Sequence, residues 1–203
     1  MTKLSKSFVF YMKNFDIMQD LGGFGDENED EINALFEGSG FKNASDMVDS
    51  VTDKAKETAQ NILLSIGKAI EKEHQFKISS RIPTIKENWY IECWMYEKKP
   101  EKGNGFIIKV EIYDYEPDTE NKAIGLLTCS IYDTREKGTA ILENIFKDNL
   151  KEDYEDVFWS NEWPIFDTLI MEDEDEEKIV EDFMQGLSEV LNQERLKKLF
   201  EKS

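Results

Sequence analysis

Four oxygen-bearing side chains in the segment DENEDEINALFE, residues 26 to 37, have the spacing of a calcium-binding EF-hand loop. Asp26, Asn28 and Asp30 stand at loop positions 1, 3 and 5, and Glu37 stands at position 12. Carboxylate and amide oxygens in that order are the ligands that such a loop offers to Ca²⁺. The first question raised by the sequence is therefore whether this segment is a metal site or the acidic start of a helix.

Two features of the segment favour the helix. The sharp turn of an EF-hand loop needs glycine at position 6, where this chain has Glu31, and the residues LGGFG break the chain where an entering helix should run. Asn28 can instead act as an N-cap, with Glu31 reaching back to it, and Ile32, Leu35 and Phe36 then form one apolar stripe. We predict a short capped helix here and no metal site.

The residues of common catalytic sites are sparse or badly placed. His74 is the one histidine, so no multi-histidine site can form within the chain, and we predict a structural or exposed role for it. Ser39 lies in EGSGF, which lacks both the G-x-S-x-G pattern and a preceding strand. Cys93 and Cys129 both lie in strand-like apolar runs, where we expect packed thiols, although a disulfide between neighbouring strands is an open alternative.

Two short motifs suggest phosphate or nucleic-acid chemistry and are weak. GGFGDEN begins like a dinucleotide-binding loop but has Asn28 in place of the third glycine and acids where phosphate would approach. PDTENK holds Pro117, Asp118, Glu120 and Lys122, the letters of the PD-(D/E)xK nuclease motif, but all four fall within one predicted turn and cannot converge from different parts of a sheet. We predict no catalytic residues, no cofactor and no metal ligands, and therefore no enzyme.

The apolar periodicity predicts a single α+β domain over residues 1–203, with residues 1–40 as a helical N-terminal appendage. The predicted helices cover about residues 5–21, 45–73, 139–149 and 175–201. Between them, four strands over about residues 75–133, joined by short turn-forming segments, predict an antiparallel meander. The segment from about residue 151 to 173 reads as irregular.

Alternation along the second and third strands predicts two distinct sheet faces. One face carries Trp89, Ile91, Cys93, Met95, Phe106, Ile108, Val110 and Ile112. The opposite face carries Tyr90, Glu92, Trp94, Tyr96, Lys109, Glu111 and Tyr113. Amphipathic aromatic residues are typical of protein interfaces, so this second face is a candidate binding surface unless later parts of the chain cover it.

The net charge of −19 is concentrated in one region. Residues 148–182 contain 15 Asp and Glu and 2 Lys, a local net charge of 2 − 15 = −13. Such a surface repels nucleic acid and anionic membranes and attracts basic proteins over about 8 Å at physiological salt. The partner predicted from the charge is a basic protein surface, and the open alternative is that the charge only keeps the protein soluble.

The candidate partner-binding residues come from the aromatic face, from the tryptophans of WSNEWPIFD and from the acidic cluster. They are Tyr90, Trp94, Tyr96, Tyr113, Trp159, Trp163, Glu172, Asp173, Glu174 and Asp175. Tryptophans in an irregular segment either bind a partner or are pinned into the core, and both alternatives are open. Oligomeric state is not indicated by the sequence.

The N-terminus has no cleavage site after its short apolar patch, and no apolar run approaches the ~18 to 20 residues of a membrane span. We therefore expect a cytoplasmic protein. Three functions fit these observations. The favoured one is a non-catalytic acidic module, either inhibitor, adaptor or chaperone, that engages a basic partner and can do so by imitating nucleic-acid phosphates. The alternatives are a small-ligand-binding or structural domain, and a metal-dependent hydrolase using Asp173, Asp175 and Glu176.

Overall fold

The computed structural model describes residues 3–15, 17–18, 44–74, 76–78, 89–95, 106–115, 122–133 and 162–193. The elements in chain order are α1 (Lys6–Lys13), α2 (Ala44–Glu73), β1 (Phe76–Ile78), β2 (Trp89–Met95), β3 (Phe106–Asp114), β4 (Ala123–Asp133), β5 (Glu162–Met171) and α3 (Glu176–Leu191). The predicted α+β fold is confirmed. The predicted helix over residues 139–149 and the segment of residues 26–37 lie outside the described residues.

The strands form one sheet in the order β1-β2-β3-β4-β5, with every neighbouring pair antiparallel. The predicted meander of the first four strands is confirmed. The fifth strand was predicted to be irregular, and that prediction is wrong. Cys129 pairs with Phe166 but Ser130 pairs with Pro164, so β5 carries one extra residue at a bulge. The bulge interrupts the period of two on which a strand prediction depends.

The two predicted faces of β3 are confirmed by its partners. Ile108, Val110 and Ile112 are buried on the face that packs against the helices, which we call the first face. The pairing places Trp89 opposite Ile112 and Cys93 opposite Ile108, so β2 contributes to the same face. The opposite side, the second face, carries Lys109 and Glu111.

α2 supplies most of the helical layer over the first face. Its apolar positions recur at steps of three and four, and such spacing places them on one side of a helix. The buried hydrophobic residues of α2 are Val48, Ala55, Ala59, Ile62, Leu63, Ile66 and Ile70, with Val51 partly buried beside them. This is the stripe that the sequence predicts.

α1 is shorter than predicted but belongs to the core. Ser5 caps the helix, since its Oγ accepts a hydrogen bond from the backbone N–H of Phe8 at 3.1 Å. The same Oγ lies 2.7 Å from Oγ1 of Thr58 on α2. Phe8 is fully buried and stacks on Trp89, with ring centroids 5.8 Å apart. The described part of the predicted N-terminal appendage therefore packs into the same core as the sheet.

α3 packs across β5. Phe183 is fully buried and its ring centroid lies 4.9 Å from that of Phe166. A Cβ atom at Gly186 would lie 2.9 Å from a ring carbon of Phe166, so the absence of a side chain lets the helix approach the strand. The helix ends at Leu191, where Asn192 donates its N–H to the carbonyls of Ser188 and Val190. The helix predicted over residues 175–201 is therefore found from Glu176 to Leu191, and residues 194–201 lie outside the described residues.

Candidate partner-binding surfaces

The second face of the sheet holds the predicted aromatic surface only in part. Tyr90 and Tyr113 are half-buried on it. Trp94 occupies a second-face position opposite Ile107, and the structure does not describe its side chain. Tyr96 lies outside the described residues. The aromatic surface therefore has two tyrosines in place among the side chains that are described.

An ion pair lies in the middle of the second face. Nζ of Lys109 is 2.8 Å from Oε1 of Glu111, and the two side chains are 19% and 5% exposed. The Lys109 Nζ also lies 5.2 Å from the ring centroid of Tyr90, within cation–π range. The sequence places Lys109 and Glu111 on one face but does not predict their burial. Because Ile107 and Ser130 are also buried, the centre of this face is not an open aromatic surface.

Trp163, which was predicted to contact a partner, lies in the core. The residue pairs with Ile131, which is a first-face residue, and its side chain is 5% exposed within the core. A buried ring under the helical layer is not available to another molecule. The tryptophan instead anchors the start of β5, which was the alternative considered for it. Trp159 lies outside the described residues.

The four predicted acidic residues between β5 and α3 all have roles within the chain. Glu172 pairs with Lys13 of α1, and Asp173 pairs with Nζ of Lys122 at 3.4 Å. Glu174 accepts a hydrogen bond from the backbone N–H of Met171 at 3.1 Å. Asp175 is the N-cap of α3, and its Oδ1 is buried without a hydrogen-bond partner. The two ion pairs are exposed and weak, worth about 0 to 1 kcal/mol each, so Glu172 and Asp173 remain open to competition from a basic partner.

A second row of acids follows on α3. Glu177, Glu181 and Glu189 are exposed, and Gln185 completes a stripe at steps of four residues, which lies along one side of the helix. We call these four residues the acidic stripe. Its sequence signal was present in the local charge, but the predicted site stopped at Asp175. The neighbouring Lys178 pairs with Asp182, and their hydrogen bond raises the pKa of Lys178.

The first turn of α3 is acidic for a structural reason as well. Glu176 and Glu177 follow the N-cap, where the helix dipole stabilises negative charge. Burial raises the pKa of the Glu176 carboxyl, so part of that benefit is offset by lost hydration. Among the described residues, no three His, Cys, Asp or Glu side chains are grouped so as to hold a metal ion. The hydrolase hypothesis built on Asp173, Asp175 and Glu176 therefore gains no support from this region.

The cysteines lie in the core on β2 and β4. Cys93 and Cys129 are both fully buried on the first face, and they are thiols rather than a disulfide. Packing as small hydrophobic residues is the role predicted for them. No described helix is long and apolar enough to cross a membrane.

His74 follows the last residue of α2 and is half-buried, with Nε2 enclosed and without a hydrogen-bond partner. Burial lowers its pKa below the ordinary value of 6.5, and the nearby Glu73 acts in the opposite direction. A base with a lowered folded-state pKa takes up a proton more readily in the unfolded chain. Its contribution to stability is therefore complete above pH 6.5 and is lost as the pH falls through the folded-state pKa.

We expect the variant His74→Asn to lose less stability than the wild-type protein between pH 7.5 and pH 5.5, since asparagine has no proton to bind. Urea denaturation at several pH values measures this difference directly. Titration of the many carboxylates is common to both proteins and cancels in the comparison. Identical pH profiles for the two proteins would show that His74 has the same pKa in the folded and unfolded states.

Comparisons of the chain with protein-family models, with curated proteins and with solved structures gave no match. Function is therefore inferred from the surfaces described above.

Proposed function

We propose that this protein is a non-catalytic, cytoplasmic binding module whose acidic surface engages a basic partner protein. The observation that supports the proposal is the acidic stripe of α3, together with the exposed Glu172 and Asp173 at the preceding turn. In the described residues from 172 to 182, eight Asp and Glu accompany one Lys, a net charge of 1 − 8 = −7. Complementary charge accelerates association with a basic surface and selects against acidic ones.

The stability of α3 does not account for the stripe. Glu181 lies beyond the first turn, and Glu189 lies in the last turn, where the helix dipole disfavours a carboxylate. Glu177 and Glu181 are like charges four residues apart, an arrangement that costs a helix about 0.2 to 0.5 kcal/mol. The hydrogen bond from Gln185 to Glu189 is worth about as much as one such repulsion and offsets it. Carboxylates that add no net stability to the helix are better explained by a role at the surface.

An inhibitor, an adaptor and a chaperone would each use such a surface, and a partner that normally binds nucleic acid would meet carboxylates in place of phosphates. The stripe supports all of these as forms of one binding function. Direct binding of nucleic acid is disfavoured by the net charge of −19.

The proposal is tested with two variants of equal charge. The first replaces Glu177, Glu181 and Glu189 with Gln, and the matched control replaces three exposed acids of α2, Glu57, Glu71 and Glu73, with Gln. Each variant reduces the net negative charge by three. Affinity capture from the native host is carried out with the wild-type protein at low salt, and the captured protein is then purified and titrated against all three.

We expect the stripe variant to bind the captured partner at least about tenfold more weakly, because three charge contacts of modest strength are removed. The control variant should bind like the wild-type protein, and raising the salt should weaken wild-type binding steeply. Equal weakening by both variants would mean that only net charge matters. Binding that neither variant nor salt alters would refute the proposed function.

A further inference from the structure

The solvent side of α1 exposes large hydrophobic side chains. Phe10 is 52% exposed and Ile17 is 57% exposed, and among the side chains whose burial the structure describes they are the only large hydrophobic ones exposed to this extent. Both lie on the side of the N-terminal segment that faces away from the core, which α1 contacts through Phe8, Tyr11 and Met12. Exposed apolar side chains that are grouped on one side of a segment, as these two are, can mark a contact with another molecule.

The same side of α1 is basic. Lys6, Phe10 and Lys13 follow one another at steps of four and three residues and are all exposed, so they form one stripe along the helix. Residues 3–13 contain three Lys and no Asp or Glu, in a protein of net charge −19. We call Lys3, Lys6, Phe10, Lys13 and Ile17 the basic stripe. Its charge and its apolar residues suit an acidic partner surface.

An acidic surface of this kind is present on the protein itself. The ion pair between Lys13 and Glu172 and the backbone bridge between Lys3 and Asp175 join the basic stripe to the turn that precedes α3, so the basic stripe lies beside the end of α3 at which the acidic stripe begins. When a basic and an acidic patch lie side by side, two copies can be related by a two-fold axis that passes between the patches. The basic patch of each copy then faces the acidic patch of the other. The same contact therefore forms twice, and the assembly is complete with two copies.

We propose that the protein forms a two-fold symmetric dimer in which the basic stripe of each copy packs on the acidic stripe of the other. Charge pairs at an exposed surface contribute little individually, whereas an aromatic side chain enclosed by an interface commonly dominates its affinity. Phe10 is therefore the anchor of the dimer, and the lysines and glutamates orient it. The inference does not depend on the proposed function, since it concerns the purified protein alone.

Sedimentation velocity of the full chain over a wide range of concentrations tests the dimer. We expect a reversible monomer–dimer equilibrium that weakens as salt is raised. Phe10→Glu should raise the dimer dissociation constant at least about tenfold. The matched control is Gln60→Glu, which makes the same change in charge at an exposed position of α2 and should leave the constant unchanged.

A charge exchange identifies the two surfaces and also verifies that the variants fold. One variant carries Lys3→Glu and Lys6→Glu, and the other carries Glu177→Lys and Glu181→Lys. Each alone should be monomeric because like charges meet at both contacts. Mixed together they should form a heterodimer, because one contact is then wild type and the other has both charges reversed.

Three results would overturn the inference. They are a wild-type protein that stays monomeric at every concentration, a dimer that Phe10→Glu does not weaken, and a mixture of the charge variants that does not associate. A monomer that binds phosphatidylserine vesicles through Phe10 would replace the second copy with an anionic membrane surface as the ligand of α1. The partner of the proposed function and the second copy would use the same acidic stripe, so the partner titrations are made with Phe10→Glu as well as with the wild-type protein. Partner binding by Phe10→Glu then shows whether the proposed function holds when the dimer is lost.

Discussion

Replacing Phe8 with Ala is expected to lower the free energy of unfolding by about 3 to 5 kcal/mol, the range for a large aromatic removed from a closely packed core. Phe8 is fully buried, and its ring stacks on Trp89 at the start of β2. The ring therefore links an N-terminal helix to a strand about eighty residues further along the chain. Urea denaturation followed by tryptophan fluorescence measures the loss, and Trp89 itself reports on the contact.

The control is Phe10→Ala in the same helix. Phe10 is 52% exposed, so its truncation should change stability by about 0.5 kcal/mol or less. Both variants replace phenylalanine with alanine two residues apart, so helix propensity is the same in each. Similar losses for the two would mean that α1 contributes to stability through its helix alone, and that it is an appendage rather than part of the core.

The parts of the fold that were predicted correctly have long, uninterrupted periodicity. α2 repeats its apolar residues at steps of three and four over thirty residues, and no alternative structure uses that pattern equally well. The strands of the meander alternate regularly and are separated by turn-forming residues. In both cases the local pattern is the pattern that the core requires, so the neighbours along the chain are sufficient to indicate the structure.

β5 was not predicted, because the pattern of its own residues does not indicate a strand. Trp163 and Phe166 lie three residues apart and yet share the first face, because the bulge at Ile165 inserts one residue between them. Proline is also disfavoured in the interior of a sheet, but Pro164 lies at that irregularity in an edge strand, which among the described strands is paired only with β4. The pairing partner and the bulge are properties of the sheet, and the sequence of the segment alone does not contain them.

The candidate partner-binding residues also include some features that the sequence predicts and others that it does not. Charge is additive along a chain, so the acidic region was visible in the sequence, and its extension onto α3 follows once the helix is placed. Burial depends on segments that are distant in the sequence. The burial of Trp163 and of the ion pair on the second face could therefore not be predicted from the residues next to them in the chain. The row of tyrosines on β2 and β3 was correctly assigned to one face, but its availability to a partner was not a local property.

The second large expected effect on stability concerns the buried ion pair between Lys109 and Glu111. Replacing Lys109 with Met is expected to lower the free energy of unfolding by about 3 kcal/mol, because it leaves the carboxylate of Glu111 in a place where water hardly reaches it. The side chain of Glu111 is 5% exposed, and its Oε1 lies 2.8 Å from the Lys109 Nζ. Urea denaturation at neutral pH measures the loss, with the slope of the transition checked against the wild-type protein.

Two further variants separate the ion pair from simple packing. Glu111→Met should cost less than Lys109→Met, because the lysine is 19% exposed and its long side chain can move its charge to water. The double variant should recover most of the stability lost by Lys109→Met, since two methionines of similar volume leave no buried charge. If Lys109→Met alone costs less than about 1 kcal/mol, the pair behaves as an exposed one, and the second face of the sheet is open to solvent and to a partner after all.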